Sequence, residues 1–157
     1  MRVSLLNMEE KHLERVSALD FKLAQRPWSV SMFKEELRLR SFCRLLMNEY
    51  GVVVGYGISR LQVDEWHLLT VGVAREFQRQ GYGFQLVADV IRKAALGYNR
   101  SVLLEVRASN VSALTLYKKM GFETLYIREG YYKAPPLAED AVVMSRRVQE
   151  NDRKIFL

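Results

Sequence analysis

A carboxylate interrupts an otherwise apolar run of the sequence at Glu105. The run Val102–Val106 is predicted to be a short strand that is covered on both faces. There, burial would disfavour the charged form of an isolated carboxylate and make it a stronger base. Glu105 is therefore a candidate general base. An ion pair with Arg107 or another basic residue, or simple exposure at the end of the strand, would explain the same position.

A tyrosine and an asparagine follow on the next predicted element. Tyr117 lies on the apolar stripe of a helix that includes Ala113 and Leu116, and it is either a core residue or a proton donor. A strand that carries Glu105, followed by this helix, could bring both groups to one cleft. Asn110 stands at the start of the helix, where it is expected to act as the N-cap. It could also bind a ligand amide, because the two roles are compatible.

Two glycines mark the junction between a predicted strand ending at Val73 and a strong helix. The junction reads Gln78-Arg79-Gln80-Gly81-Tyr82-Gly83. The N-terminus of a helix attracts anions, and glycines let the backbone approach a phosphate closely. Arg75 and Arg79 add positive charge nearby. The segment is therefore either a pyrophosphate site or a tight turn, and it matches neither the Rossmann nor the P-loop pattern.

Hydrophobic periodicity predicts the scaffold that must position these groups, in the order βααβββαβαββ. Strands are predicted at residues 2–6, 44–50, 52–61, 67–74, 102–106, 123–128 and 140–147. Asn7 and Glu10 suggest a capping box for the first helix, and Ser29 is expected to cap the second. Gly97 and Gly121 are placed to end the last two helices.

These elements predict an α/β (α+β) fold in which helices flank a mixed central sheet. The unit from about 67 to 106 is expected to be a right-handed parallel crossover. With 157 residues, the chain fits a single domain. Residues 1–147 would form that domain, and 148–157 a polar tail that frays up to Lys154.

Composition restricts the classes of function. The net charge is +6, but the basic residues are scattered, so direct nucleic-acid binding is not expected. The start of the chain lacks the apolar core of a signal peptide, and no membrane span is apparent, so a cytoplasmic location is expected. The single cysteine, Cys43, is predicted to be a buried inert thiol, and His67 a structural residue. Without a Cys/His cluster, no metal site is predicted.

The motifs in this order resemble the GNAT superfamily of acetyl-CoA-dependent N-acetyltransferases. The family signature Q/R-x-x-G-x-G/A corresponds to Gln78–Gly83. The predicted order of elements also matches the GNAT fold over about residues 2–147. The resemblance therefore covers nearly the whole chain.

Within the superfamily, the chain resembles the RimI group of ribosomal-protein alanine N-acetyltransferases. The specific part is the run Leu104-Glu105-Val106-Arg107-Ala108-Ser109-Asn110, followed by Tyr117 and by Gly121-Phe122. The remaining matches are Pro27-Trp28-Ser29, Arg128 with Tyr131-Tyr132, Glu139-Asp140-Ala141 and Met144. This resemblance implies acetyl-CoA as co-substrate and a protein N-terminus, such as that of a ribosomal protein, as acceptor.

The resemblance also implies roles for individual residues. Backbone groups of Val71, Gly72 and Val73 would line the pantetheine and thioester, and Asn110 would contact the cofactor arm. Gly72 departs from the alanine that is frequent in the group, which backbone binding should tolerate. Glu105 would act as base and Tyr117 as acid. The pyrophosphate would bind backbone amides within Arg79, Gln80, Gly81, Tyr82, Gly83 and Phe84.

Three other functions remain open at this point. An acetyltransferase for lysine, for other N-termini or for a small amine would share the same motifs. A CoA-binding module without catalysis would bind acetyl-CoA but release no thiol. A basic nucleic-acid or ribosome binder would ignore acetyl-CoA and respond steeply to salt. The sequence does not predict the oligomeric state.

Overall fold

We describe a computed structural model of the chain, which covers residues 1–133 and 137–154. Its elements follow the predicted order. They are β1 (Val3–Asn7), α1 (Leu13–Leu23), α2 (Val30–Arg38), β2 (Phe42–Asn48), β3 (Val53–Gln62), β4 (Glu65–Val73), α3 (Tyr82–Leu96), β5 (Ser101–Arg107), α4 (Val111–Lys119), β6 (Glu123–Tyr132) and β7 (Glu139–Arg147). Within those residues, no helix has the length and apolar character needed to cross a membrane.

The seven strands that are described form one mixed sheet in the order β1-β2-β3-β4-β5-β7-β6. Strands β2 and β3 are antiparallel. Strands β4 and β5 run parallel, with Glu65–Leu68 opposite Ser101–Leu104. Strand β7 lies between β5 and β6 and is antiparallel to both. The predicted α/β class with a mixed sheet is confirmed.

The first of two compact units contains residues 1–60 and 69–89. Its apolar side chains form two clusters, because side chains alternate across a strand. Leu45 packs in a cluster with Phe33 and Tyr56, whereas its neighbour Leu46 packs with Leu86 of α3. Full burial of a side chain such as Phe33 contributes about 1.5–3 kcal/mol. The two clusters cover both faces of this part of the sheet.

The second unit contains residues 61–68 and 90–157, of which 134–136 and 155–157 are not described. Helix α3 continues into this unit, where its residues Ile91 and Ala94 are buried. Met144 of β7 is also fully buried. Helix α4 begins at the predicted cap, since the Asn110 side chain accepts a hydrogen bond from the Ala113 amide.

The start of the first helical segment differs from the prediction. Asn7 ends β1, where it pairs with Arg44 of β2, and it does not cap a helix. The cap lies two residues later, where the Glu9 amide donates to Nδ1 of His12 at 2.9 Å. Burial lowers the pKa of His12, which favours the neutral ring that can accept this bond. The predicted capping box of Asn7 and Glu10 is therefore wrong, because sheet pairing uses Asn7.

The polar tail was predicted to fray, and this is wrong for its described part. Residues Glu150–Lys154 form a short 3-10 turn. Asp152 is buried and accepts two hydrogen bonds from Arg146 of β7, at 2.8 and 3.0 Å. It also accepts a bond from the Gln149 amide at 2.7 Å. The last three residues of the predicted tail, 155–157, lie outside the described residues.

The Asp152 carboxylate should make this turn sensitive to pH. Burial alone would raise its pKa, but the bonds from Arg146 and the Gln149 amide outweigh burial and hold the pKa below its ordinary value. A lowered folded-state pKa gives stability above the unfolded-state pKa that is lost as the pH falls. We expect Asp152→Asn to lower the free energy of unfolding by about 1–3 kcal/mol at pH 7.

Urea unfolding at pH 7 and at low pH tests this expectation. The difference between Asp152→Asn and wild type should shrink as the pH falls, because the wild-type carboxylate then becomes neutral too. Glu150→Gln is the matched control, since the Glu150 side chain is 89% exposed. Equal destabilisation by the two variants would contradict the assigned role of Asp152.

Candidate active site

The predicted anion-binding loop lies between β4 and α3, in the first unit. Residues Arg75–Phe77 form a 3-10 turn. The Gln78 side-chain amide then donates to the Val73 carbonyl at 2.9 Å. Arg79 and Gly81 both adopt left-handed backbone conformations, with φ of 64° and 88°. This arrangement returns the chain from the end of β4 to the start of α3 within a few residues.

The start of α3 offers unpaired backbone donors. Its first helical hydrogen bond runs from the Gln85 amide to the Gly81 carbonyl at 3.0 Å. The amides of Tyr82, Gly83 and Phe84 precede that bond, and the first N–H groups of a helix have no partner within it. A Cβ placed on Gly81 would meet no atom within 4 Å. An anion such as a pyrophosphate fits this exposed, positively polarised end.

The end of β4 presents backbone beside this loop. The side chains of Val71 and Val73 pack towards the cluster that contains Leu86. Gly72 faces the opposite way, towards Tyr56, and its carbonyl lies close to Gly55 of β3. Because Gly55 and Gly72 both lack a side chain, the two strands approach closely here. The positions of residues 71–73 therefore suit recognition through the main chain.

Glu105 lies in the second unit, and the expectation that it is buried is wrong. Leu104 and Val106 are buried on one face of β5, whereas the Glu105 side chain is on the other face and 34% exposed. Arg128 of β6 donates from Nη1 to Glu105 Oε1 at 2.7 Å. The guanidinium of Arg128 also lies over the Tyr131 ring, 3.8 Å from its centroid. The alternative of an ion pair is confirmed, with Arg128 as the partner instead of Arg107.

Tyr117 is a buried residue of α4 that packs on Phe122, with 5.7 Å between the ring centroids. Burial raises the pKa of Tyr117, and Tyr132 adds to that rise. The phenol therefore keeps its proton through the neutral range, as a proton donor must. These contacts also make Tyr117 part of the core, so burial and a role as donor are compatible.

Tyr132 interacts electrostatically with both candidate catalytic residues, and the sequence alone assigned it no role of its own. It is half-buried, and burial followed by the charge of Glu105 raises its pKa. The guanidinium of Arg107 lies 4.0 Å from the centroid of its ring. Tyr132 therefore interacts electrostatically with Glu105, and it contributes to the raised pKa of Tyr117.

A β-bulge explains why Tyr132 was missed. The predicted strand stopped at Arg128, but β6 continues to Tyr132, which pairs with Glu139 of β7. The register shifts between Arg128 and Tyr132 of β6. Gly130, which lies between them, has a φ of 58°. A glycine within a strand pattern is the signal for such a bulge. From Arg128 to Tyr132, β6 advances by four residues while β7 advances by two, so β6 carries two extra residues here.

The remaining run Arg107–Asn110 is held by a carboxylate of β7. Glu139 accepts a hydrogen bond from the Ser109 amide at 2.6 Å and lies 3.5 Å from Nη1 of Arg107. The hydrogen bonds from Ser109, helped by the Arg107 charge, lower the pKa of Glu139. Asn110 confirms its predicted capping role, and its contact with a cofactor stays a prediction.

The surroundings of Cys43 and His67 fit the structural roles that the sequence predicts for them. Cys43 is buried, and burial, reinforced by the charge of Glu36, raises the pKa of its thiol to about 12, as expected for an inert thiol. His67 lies within β4, with Nε2 4.0 Å from Glu65. In residues 1–133 and 137–154, no group of three or more His, Cys, Asp or Glu residues is arranged to hold a metal.

The mixed sheet with its flanking helices is the architecture expected for the acetyltransferase class. A family comparison agrees: the model of the acetyltransferase (GNAT) family matches residues 9–122. The chain belongs to this family, whose members use acetyl-CoA.

Named relatives share most of the chain. The [ribosomal protein bS18]-alanine N-acetyltransferase of Escherichia coli K12 is 32% identical over 119 residues, which cover 76% of this chain and 80% of that protein. N-alpha-acetyltransferase RimI of Mycobacterium tuberculosis is 35% identical over 124 residues, covering 76% and 75%. The crystal structure of the ribosomal-protein-S18-alanine N-acetyltransferase from E. coli aligns with a TM-score of 0.87 at 28% identity, over 94% of this chain and 95% of that one.

Proposed function

We propose that this enzyme transfers the acetyl group of acetyl-CoA to the α-amine of a protein N-terminus, the N-terminal alanine of a small-subunit ribosomal protein being the first candidate. The choice of a protein N-terminus as the acceptor rests on the similarity to two N-terminal acetyltransferases over three quarters of the chain. The protein substrate is thus inferred from relatives, and the chemistry is argued from the site.

Main-chain groups are proposed to hold the acetyl donor, which supplies an activated acetyl thioester. The amides at the start of α3, within Arg79–Phe84, would bind the pyrophosphate, because they are unpaired in the helix and positively polarised. Val71, Gly72 and Val73 would bind the pantetheine and thioester through the backbone. The Val73 N–H would donate to the carbonyl oxygen as negative charge develops there. Asn110 would contact the cofactor arm.

Glu105 and Tyr117 are proposed to handle the protons. An α-amine has a pKa of about 7.7–8.0, against about 10.4 for lysine, so about one α-amine in ten is already neutral at pH 7. A modest base such as Glu105, acting directly or through a water, suits that amine better than lysine. Tyr117 would return a proton to the departing sulfur, because its phenol stays protonated.

Thiol release with defined peptides tests the proposal. A peptide that copies the alanine-started N-terminus of protein bS18 should release CoA, and mass spectrometry should place the acetyl group on the α-amine. A peptide with the same lysines and a blocked N-terminus is the control. Preferential transfer to the blocked peptide would assign a lysine acetyltransferase. Acetyl-CoA binding without thiol release for any amine would overturn catalysis altogether.

A further inference from the structure

Gly72 of β4 faces the ring of Tyr56, and no larger residue fits there. A Cβ at position 72 would lie 2.5 Å from the Tyr56 hydroxyl oxygen and 2.6 Å from its Cζ. Real Cβ contacts are essentially never shorter than about 3.0 Å, the range in which packed atoms repel. Tyr56 is 1% exposed, so its ring cannot move into solvent. The missing side chain at Gly72 therefore provides the space that the Tyr56 hydroxyl occupies.

The Tyr56 hydroxyl is fixed by two side chains. It donates to Oδ1 of Asp20, and it is also hydrogen-bonded to Thr70 of β4. Asp20 is a buried carboxylate of α1, 2% exposed. Hydrogen bonds to a charged acceptor are stronger than neutral ones, and a buried carboxylate that loses a donor is strongly penalised. The ring of Tyr56 is therefore held firmly against β4.

The second oxygen of Asp20 fixes the segment between α1 and α2. The Trp28 amide donates to Asp20 Oδ2 at 2.6 Å. The Trp28 carbonyl accepts from the Ser17 hydroxyl at 3.0 Å. The Trp28 ring packs on Phe33, with 5.1 Å between ring centroids. Both main-chain groups of Trp28 are thus bound by side chains of α1, and Asp20 connects one of them to Tyr56.

We propose that Tyr56 is a positioning residue, whose hydroxyl sets the Trp28 segment against the β4 backbone at Gly72. This inference rests on the proposed function, in which residues 71–73 hold the thioester. The acceptor must reach that thioester, and Asp20 and Tyr56 link the Trp28 segment to Gly72, so we infer that this segment borders the path of the acceptor. Strand pairing between β3 and β4 does not depend on the Tyr56 hydroxyl. Loss of the hydroxyl should therefore impair acceptor binding more than binding of acetyl-CoA.

Tyr56→Phe, which keeps the ring and removes the hydroxyl, tests this. The acceptor KM should rise about tenfold, the loss of one charge-assisted hydrogen bond, while the KM for acetyl-CoA stays within about twofold. Hydrogen exchange should show that the Trp28 amide loses protection. Tyr50→Phe is the matched control, because Tyr50 is 79% exposed, and it should change none of these values. If Tyr56→Phe does not fold, Asp20→Asn takes its place, with the same expected rise.

A double-mutant cycle separates this role from simple stability. Gly72→Ala should weaken acetyl-CoA binding and lower Tm in the wild-type background, and by less beside Tyr56→Leu, which lacks the hydroxyl and the ring carbons that the new Cβ would meet. An unchanged acceptor KM, an equal rise in both KM values, or additive effects in the cycle would overturn the proposal. If wild type binds acetyl-CoA but acetylates no peptide, the proposed function fails, and Trp28 exchange alone decides whether Tyr56 holds the segment.

Discussion

Glu105→Gln should lower turnover at pH 6 by about 10²-fold or more, and by clearly less at pH 9, with an alanine-started peptide as acceptor. The α-amine of such a peptide, with a pKa of about 7.7–8.0, is mostly protonated at pH 6 and must lose that proton before it attacks. At pH 9 most of the amine is already neutral, so the base matters less.

The geometry of Glu105 allows this substitution to remove the basic carboxylate while keeping the local hydrogen bond. Its Oε1 accepts a hydrogen bond from Arg128 at 2.7 Å, and the amide oxygen of glutamine can accept the same bond. Calorimetry should therefore give an acetyl-CoA affinity within about twofold of wild type, since an uncharged isostere leaves the packing intact. The proposed acetyl-CoA contacts also do not include this side chain.

Glu123→Gln on β6 is the matched control for Glu105→Gln. It removes an exposed carboxylate in the same unit, and its turnover should follow that of wild type at both pH values. A Glu105→Gln enzyme with wild-type turnover from pH 6 to pH 9 would remove Glu105 from the mechanism.

Elements with strong local periodicity were predictable from the sequence. The stripe Leu86–Ala95 predicts α3, and Gly97 follows its end at Leu96. Ser29 and Asn110 cap α2 and α4 as predicted, because capping depends on residues three positions apart. Where sheet pairing competed with a local signal, the prediction failed, as at Asn7.

The surroundings of Glu105 were not predictable, because they depend on contacts between distant parts of the chain. Apolar neighbours suggested burial on both faces, but one face of β5 at this position carries Arg128, 23 residues away. That pairing depends on the sheet order β5-β7-β6. Sequence patterns report the alternation of faces but not what covers each face.

Gly72 shows the same limit in another form. From the sequence, a glycine in β4 is only a residue that main-chain binding should tolerate. The structure gives it a steric reason, the Tyr56 hydroxyl, and leads from there to Asp20 and Trp28. Four segments of the chain meet at this point, and no local pattern encodes such a contact.

Tyr117→Phe should lower kcat by about 10²-fold, at the lower end of the range for general acid catalysis. Burial raises the pKa of this phenol above its ordinary value of about 10, whereas a thiol has a pKa of about 8.5. Complete proton transfer to the departing sulfur is thus uphill, which limits the contribution of Tyr117. The raised pKa also keeps the phenol protonated, so wild type should show no alkaline loss of kcat from this group below about pH 10.

The packing of Tyr117 on Phe122 allows phenylalanine to replace it without loss of the fold. Thermal unfolding should place the variant within a few degrees of wild type, and KM for both substrates should change little, because only the chemical step uses the hydroxyl. Tyr50→Phe, at an exposed position, is the matched control and should keep the wild-type kcat. A wild-type kcat in folded Tyr117→Phe would leave Tyr117 as a core residue, and the proton would then have to come from another group.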